Sequence, residues 1–110
     1  MSGRLTTHAL DTVAGQGAAG LRVELRRGGY TLADVTLDET GRGALIETLE
    51  AGRYELVFHV SHYHRAKGLI LAEPPFLDEV TIQFGVADPA AHYHVPIVFS
   101  PHAYSTYRGG

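Results

Sequence analysis

His92 and His94, two residues apart in His92-Tyr93-His94-Val95, have the spacing to act together. On a strand, residues i and i+2 share a face, so both imidazoles can reach one ligand or one metal ion. The alternative is a polar face, solvated or at an interface, without chemistry, and spacing alone favours that plainer reading. His59, His62 and His64 form a second group within six residues. Their spacing matches no common zinc pattern, and surface positions on a short helix are the simpler reading. His8, between Thr7 and Ala9, reads by default as a hydrogen-bonded structural histidine. Arg42, just beyond Asp38-Glu39-Thr40-Gly41, reads as a loop cation, and Tyr107-Arg108-Gly109-Gly110 as a polar tail. The chain has no cysteine, so disulfides, thiolate catalysis and cysteine zinc sites are excluded. No serine lies in a nucleophile-elbow context, and the glycines sit in turns rather than between a strand and a helix. Chemistry must therefore come from histidine, arginine, tyrosine, hydroxyls and carboxylates.

The elements that would hold these groups are mostly strands. Leu5 to Asp11 alternates Thr6, His8 and Leu10 against Leu5, Thr7 and Ala9. Ala14 to Gly20 is a small-residue loop. Leu21, Val23 and Leu25 alternate with charged residues, and Gly28-Gly29 supplies a hairpin turn. Tyr30 to Leu37 continues with Tyr30, Leu32, Val35 and Leu37 inward and a phase slip, read as a bulge, near Asp34. Ala44 to Ile46 is a brief strand. Arg53 to Val60 turns Tyr54, Leu56, Phe58 and Val60 to one side. Ser61 to Gly68 reads as a helix capped by Ser61 and closed by Gly68. A loop with Pro74-Pro75 leads to a strand over Glu79–Val86 with Val80, Ile82 and Phe84 inward. Tyr93 to Phe99 buries Tyr93, Val95, Ile97 and Phe99, which leaves His92 and His94 on the opposite face. Ala103 to Arg108 is the final strand. About seven or eight short strands with frequent turns predict an all-β antiparallel sandwich with one short helix.

Composition bounds the function. A chain of 110 residues, 45% of them apolar, predicts one domain with a core of its own. Its formal charge of −3 and lack of a basic cluster argue against nucleic acid. No apolar run reaches bilayer-spanning length, and the first residues lack the layout of a secretory signal. A soluble, cytoplasmic protein is the expectation.

Four stretches taken together resemble one family. They are Leu5-Thr-Thr-His8-Ala-Leu-Asp11-Thr, the Gly41-Arg42 turn, His92-Tyr-His94-Val-Pro-Ile-Val-Phe-Ser-Pro101, and Tyr104-Ser-Thr-Tyr107-Arg108-Gly109. They are similar, in the same order, to signatures of the 5-hydroxyisourate hydrolases, the transthyretin-like proteins of purine catabolism. The resemblance covers Leu5 to Gly110. It implies a transthyretin-like sandwich assembled as a homotetramer, a dimer of dimers, with active sites along the channel between dimers. It also implies hydrolytic ring opening of 5-hydroxyisourate with no metal or organic cofactor. Carried over residue by residue, His8, Arg42 and His94 are the catalytic set, and Tyr107, Arg108 and Gly109 wall the pocket. His92 takes a supporting role in binding substrate. One position departs: Gly110 stands where the family has serine, so a side-chain hydroxyl is missing there. Two other classes remain. One is a non-catalytic binder of the kind that carries a hormone on this fold, a branch that lacks the His/Arg set and the Tyr-Arg-Gly tail. The other is a histidine-based metal protein.

Overall fold

Strict alternation places the first strand. In β1 (Arg4–Asp11), Leu5, Thr7, Ala9 and Asp11 are buried, while Thr6, His8 and Leu10 turn outward. The computed structural model describes residues 3–109 and, among them, nine strands and one helix. After β1 come β2 (Gln16–Gly17), β3 (Arg22–Arg27), β4 (Tyr30–Thr36), β5 (Arg42–Ile46) and β6 (Gly52–Phe58). Helix α1 (Val60–Ala66) precedes β7 (Val80–Val86), β8 (His92–Phe99) and β9 (Tyr104–Thr106). The predicted all-β sandwich with one short helix is observed; the two-residue β2, inside the expected Ala14–Gly20 loop, is the additional strand.

One sheet has the order β2-β1-β8-β9, with β5 also paired to β1; the other runs β4-β3-β6-β7. The expected antiparallel sandwich is observed, with one parallel pair within it. The central pair β1 and β8 is parallel, in register from Arg4↔His92 to Asp11↔Phe99. The chain reaches that arrangement because the whole second sheet is built between the two strands, which is the long crossover parallel pairing demands. The core lies between the sheets. Leu5, Ala9, Tyr93, Val95, Ile97 and Phe99 from one face meet Val23, Leu25, Leu56, Phe58, Val80 and Ile82 from the other.

Three local expectations are revised. The irregularity in β4 falls at Leu32, not Asp34, because Leu25 pairs with Ala33 and Arg26 with Thr31. Beyond that slip the pleat reverses, so Tyr30 and Leu32 are exposed rather than inward. β6 ends at Phe58, and Val60 is the first helical residue. Ser61 is not the helix cap. His59 holds that position without a side-chain capping bond, and the Ser61 hydroxyl donates to Asp78 Oδ1 at 2.7 Å. Gly68 does close the helix. At a φ of +92° it allows Leu69 N–H to bond the His64 carbonyl while its own N–H bonds Arg65, the double closure of a Schellman motif.

Helix α1 carries two buried aromatic groups. The Tyr63 hydroxyl donates to Asp11 Oδ2 at 2.8 Å, and Asp11 Oδ1 accepts from the Val13 and Ala14 amides. His64, expected at the surface, is wholly buried against Tyr63 and Phe99, with neither ring nitrogen hydrogen-bonded.

Candidate active site

A turn and two neighbouring strands assemble the polar face. Asp38 Oδ1 accepts from the Thr40 amide (2.9 Å), the Thr40 hydroxyl (2.6 Å) and the Arg42 amide (3.0 Å), fixing the turn as aspartates do. These donors hold the Asp38 carboxyl below its usual pKa, the Thr40 hydroxyl most of all. Gly41 is required at the apex. Its φ is +80°, and a Cβ would come within 2.6 Å of both the Ala9 carbonyl and the Ala18 amide. The turn therefore lies flat on β1, delivers Arg42 directly opposite His8, and starts β5.

His8 Nε2–H donates to the Thr40 carbonyl at 3.1 Å. A carbonyl can only accept, so neutral His8 carries its proton on Nε2 and leaves Nδ1 as the basic atom. The Arg42 side chain is exposed and, among the described residues, forms no ion pair or hydrogen bond. A planar guanidinium in that state can meet carbonyl or anionic oxygens of a ligand.

On β8, His92 and His94 project from the outer face, as alternation predicted. Their ring centroids are 6.3 Å apart. Between them sits Thr6, whose Oγ1 lies 2.7 Å from His92 Nε2 and 2.8 Å from His94 Nδ1. The half-buried His94 imidazole is pushed below the ordinary histidine pKa, first by desolvation and then by the nearby His92, His8 and Arg42. It is therefore neutral at neutral pH, the form a general base needs.

Beyond β9 the tail returns to this face at a single point. Gly109 N–H donates to the His94 carbonyl at 2.8 Å, forming a bridge beside the imidazole. Tyr107 and Arg108 take a different direction. The Arg108 guanidinium stacks on the Tyr93 ring, 4.2 Å from its centroid, although Tyr93 belongs to the inner face of β8. With Tyr107, Phe84 and Ile82 it lines a cavity of about 330 Å³ at the open edge between the sheets. Within one chain, then, His8, Arg42, His92, His94 and Gly109 share one face, and Tyr107 and Arg108 do not. Gly110 lies outside the described residues.

The other histidine group does not converge. His59 is held between Glu24 (2.6 Å) and Glu79 (3.1 Å) on the second sheet, His62 is exposed and His64 is in the core. Among the described residues, no group of three or more His, Asp or Glu is arranged to hold a metal ion.

The sequence from residue 5 to 109 matches the family model described as HIUase/Transthyretin. The chain belongs to this family. A 5-hydroxyisourate hydrolase from Deinococcus radiodurans is 52% identical, with 99% of both chains covered. The solved structure of Klebsiella pneumoniae 5-hydroxyisourate hydrolase superposes with a TM-score of 0.86 at 33% identity, covering 98% of this chain and 99% of that one. A crystal structure of (S)-allantoin synthase superposes with a TM-score of 0.92 at 34% identity; the present chain covers 99% of itself but spans only 44% of that protein. For a member of the HIUase/Transthyretin family, the four quoted stretches gave most of the polar face. They contain Thr6 without singling it out, and they do not include Asp38 or Thr40. Thr6 lies two residues before His8 on a strand, a same-face signal that becomes informative only once β8 is known to lie alongside.

Proposed function

We propose that this protein is a 5-hydroxyisourate hydrolase, opening the six-membered ring to 2-oxo-4-hydroxy-4-carboxy-5-ureidoimidazoline. The observation that carries the reading is the convergence of His8, Arg42 and His94 from β1, β5 and β8 on one outward face. Hydrolysis of a ring amide needs a base for water, a cation for the developing oxyanion and a rigid wall for a flat heterocycle. A histidine base meets the first need, and the exposed Arg42 guanidinium, without an ion pair among the described residues, the second. His8 and His94 act as a pair: one removes a proton from water as the new C–O bond forms. The proton returns to the ring nitrogen as the C–N bond breaks. Arg42 holds the carbonyl oxygen as it gains charge. His92 supports His94, and the tail from Tyr107 through Gly109 shapes the pocket. No metal or organic cofactor enters the scheme.

The face is open to solvent in a single chain, and β7 and β9 are edge strands of the two sheets. We infer a homotetramer, a dimer of dimers, in which these edges are paired and the histidine faces line a shared channel. Closing that channel would shield the site from bulk solvent while leaving room for the attacking water, and a second copy would engage Tyr107 and Arg108. No helix is long and apolar enough to cross a membrane. A cytoplasmic location fits a urate-catabolic enzyme of this kind.

The test is absorbance decay of freshly generated 5-hydroxyisourate with and without purified protein. Acceleration over spontaneous decay at micromolar protein supports the hydrolase; none sinks it. Deleting Tyr107 to Gly110 is expected to lower kcat/KM, and an unchanged value would reduce the tail to a structural edge.

A further inference from the structure

We propose that Thr6 is a positioning residue that passes a proton from His94 to His92, making His92 the exit by which the site discharges to solvent. The purpose of this relay rests on the hydrolase reading; its geometry does not.

Thr6 and His94 are register partners on the parallel strands β1 and β8, and His92 is one pleat away opposite Arg4. The Thr6 hydroxyl is therefore locked between two imidazole nitrogens at 2.7 and 2.8 Å. A hydroxyl has one hydrogen to give and two lone pairs with which to accept. It cannot donate to both rings, so the two histidines cannot both present bare nitrogens to it. In the arrangement useful for catalysis, His94 Nδ1–H donates to Thr6, the Thr6 hydroxyl donates to His92 Nε2, and His94 Nε2 is bare.

Water brings two protons: one passes to the ring nitrogen as the C–N bond breaks, and the other is shed as the acid product ionises. When His94 Nε2 takes this second proton, the ring is an imidazolium. Its Nδ1 proton moves to Thr6 Oγ1 as the hydroxyl proton moves to His92 Nε2. His94 is then neutral with its proton on Nε2, and the positive charge resides on His92, which releases Nδ1–H to bulk water. Every bond made is matched by one broken; the threonine keeps one hydrogen, and both hydrogen bonds stand reversed in polarity until the two rings regain their starting tautomers by proton exchange with solvent. The direction follows from surroundings. His94 is half-buried, with His8, His92 and Arg42 as the charged or titratable groups bearing on it. His92 is exposed, so a positive charge is better solvated there.

Thr6→Val removes the hydroxyl while keeping the shape, and Thr6→Ser keeps the hydroxyl. If the relay operates, Thr6→Val lowers kcat about tenfold or more with little change in KM, and Thr6→Ser restores it. His92→Phe causes a loss similar to Thr6→Val, and the double variant loses no more than either single one. Nitrogen-resolved NMR of the rings, without substrate, finds His94 protonated on Nδ1 in the wild type and redistributed between tautomers in Thr6→Val. Wild-type kcat in Thr6→Val, no restoration by serine, additive losses in the double variant, or an unchanged His94 tautomer each overturn the proposal. If the wild type fails to accelerate substrate decay, the hydrolase reading alone is lost; the ring NMR still decides whether Thr6 couples the histidines.

Discussion

Gly109 lies against His94 so closely that a Cβ on it would meet the imidazole Cδ2 at 2.5 Å and Cγ at 3.2 Å. Its amide meanwhile donates to the carbonyl of the same residue. The tail is thus fastened to the backbone of His94 and pressed on its ring, and only glycine fits both requirements. This is steric need rather than conformational strain, since the backbone there does not require the left-handed region.

Gly109→Ala should therefore act on the site and not on the fold. The ring or the tail must move, so kcat/KM is expected to fall about tenfold or more, on the scale of a misplaced catalytic group. Thermal melting should stay near the wild-type value, because the contact is peripheral to the core. Equal activity of Gly109→Ala and wild type would show that the tail does not set the position of His94.

His8→Asn and His94→Asn each remove a base while keeping hydrogen-bonding capacity. Turnover should drop roughly 100-fold or more, the loss typical of a missing general base. Steady-state kinetics on variants of unchanged oligomeric mass checks this. Either one retaining wild-type kcat would remove that residue from the mechanism.

Asp38 touches no substrate in the proposed scheme, yet it holds the turn whose Thr40 carbonyl fixes the His8 tautomer. Asp38→Ala should lower kcat about tenfold, less than loss of His8 itself, because the imidazole remains but samples both tautomers. Asp38→Asn keeps an acceptor oxygen and should recover most of the activity. A pair of variants with equal kcat would show that the turn acts only by placing Arg42.

The pH dependence of activity follows from the depressed His94. A free imidazole loses its basic form below about pH 6.5, whereas His94 keeps it to lower pH because desolvation first, and then the nearby His92, His8 and Arg42, oppose its protonation. The acid limb of the kcat profile should therefore lie below 6.5. A limb above 6.5 would point to a different base.

His64 governs stability rather than catalysis. Burial lowers its pKa, with the Asp11 carboxylate and the nearby Ser100 backbone opposing more weakly. The Ser100 group lies close without hydrogen-bond geometry, so neither ring nitrogen is satisfied. Because the folded pKa is below the unfolded one, stability is full above about pH 6.5 and declines as pH falls toward the folded value. His64→Leu should be neutral or stabilising at neutral pH, where it removes two unpaired polar atoms, and should flatten this decline. Denaturant melts at several pH values test it; identical slopes in the two proteins would rule out His64 as the cause.

Alternation by itself determined the sandwich class, the core faces and the outward aim of His8, His92 and His94, because a strand has only two sides and one must be apolar. The quoted stretches likewise marked Arg42 and Gly109. What alternation could not specify was which strands are neighbours. That β1 lies parallel to β8, putting Thr6 between His92 and His94, depends on pairing between residues 86 and 88 positions apart in the chain. The burial of His64, the use of Ser61 on Asp78 and the turn of Arg108 toward Tyr93 were settled in the same way. Each is a polar group whose partner lies on another element, and local propensity carries no information about such a partner. Only tertiary packing, which brings distant strands within hydrogen-bonding distance, decides where those protons go.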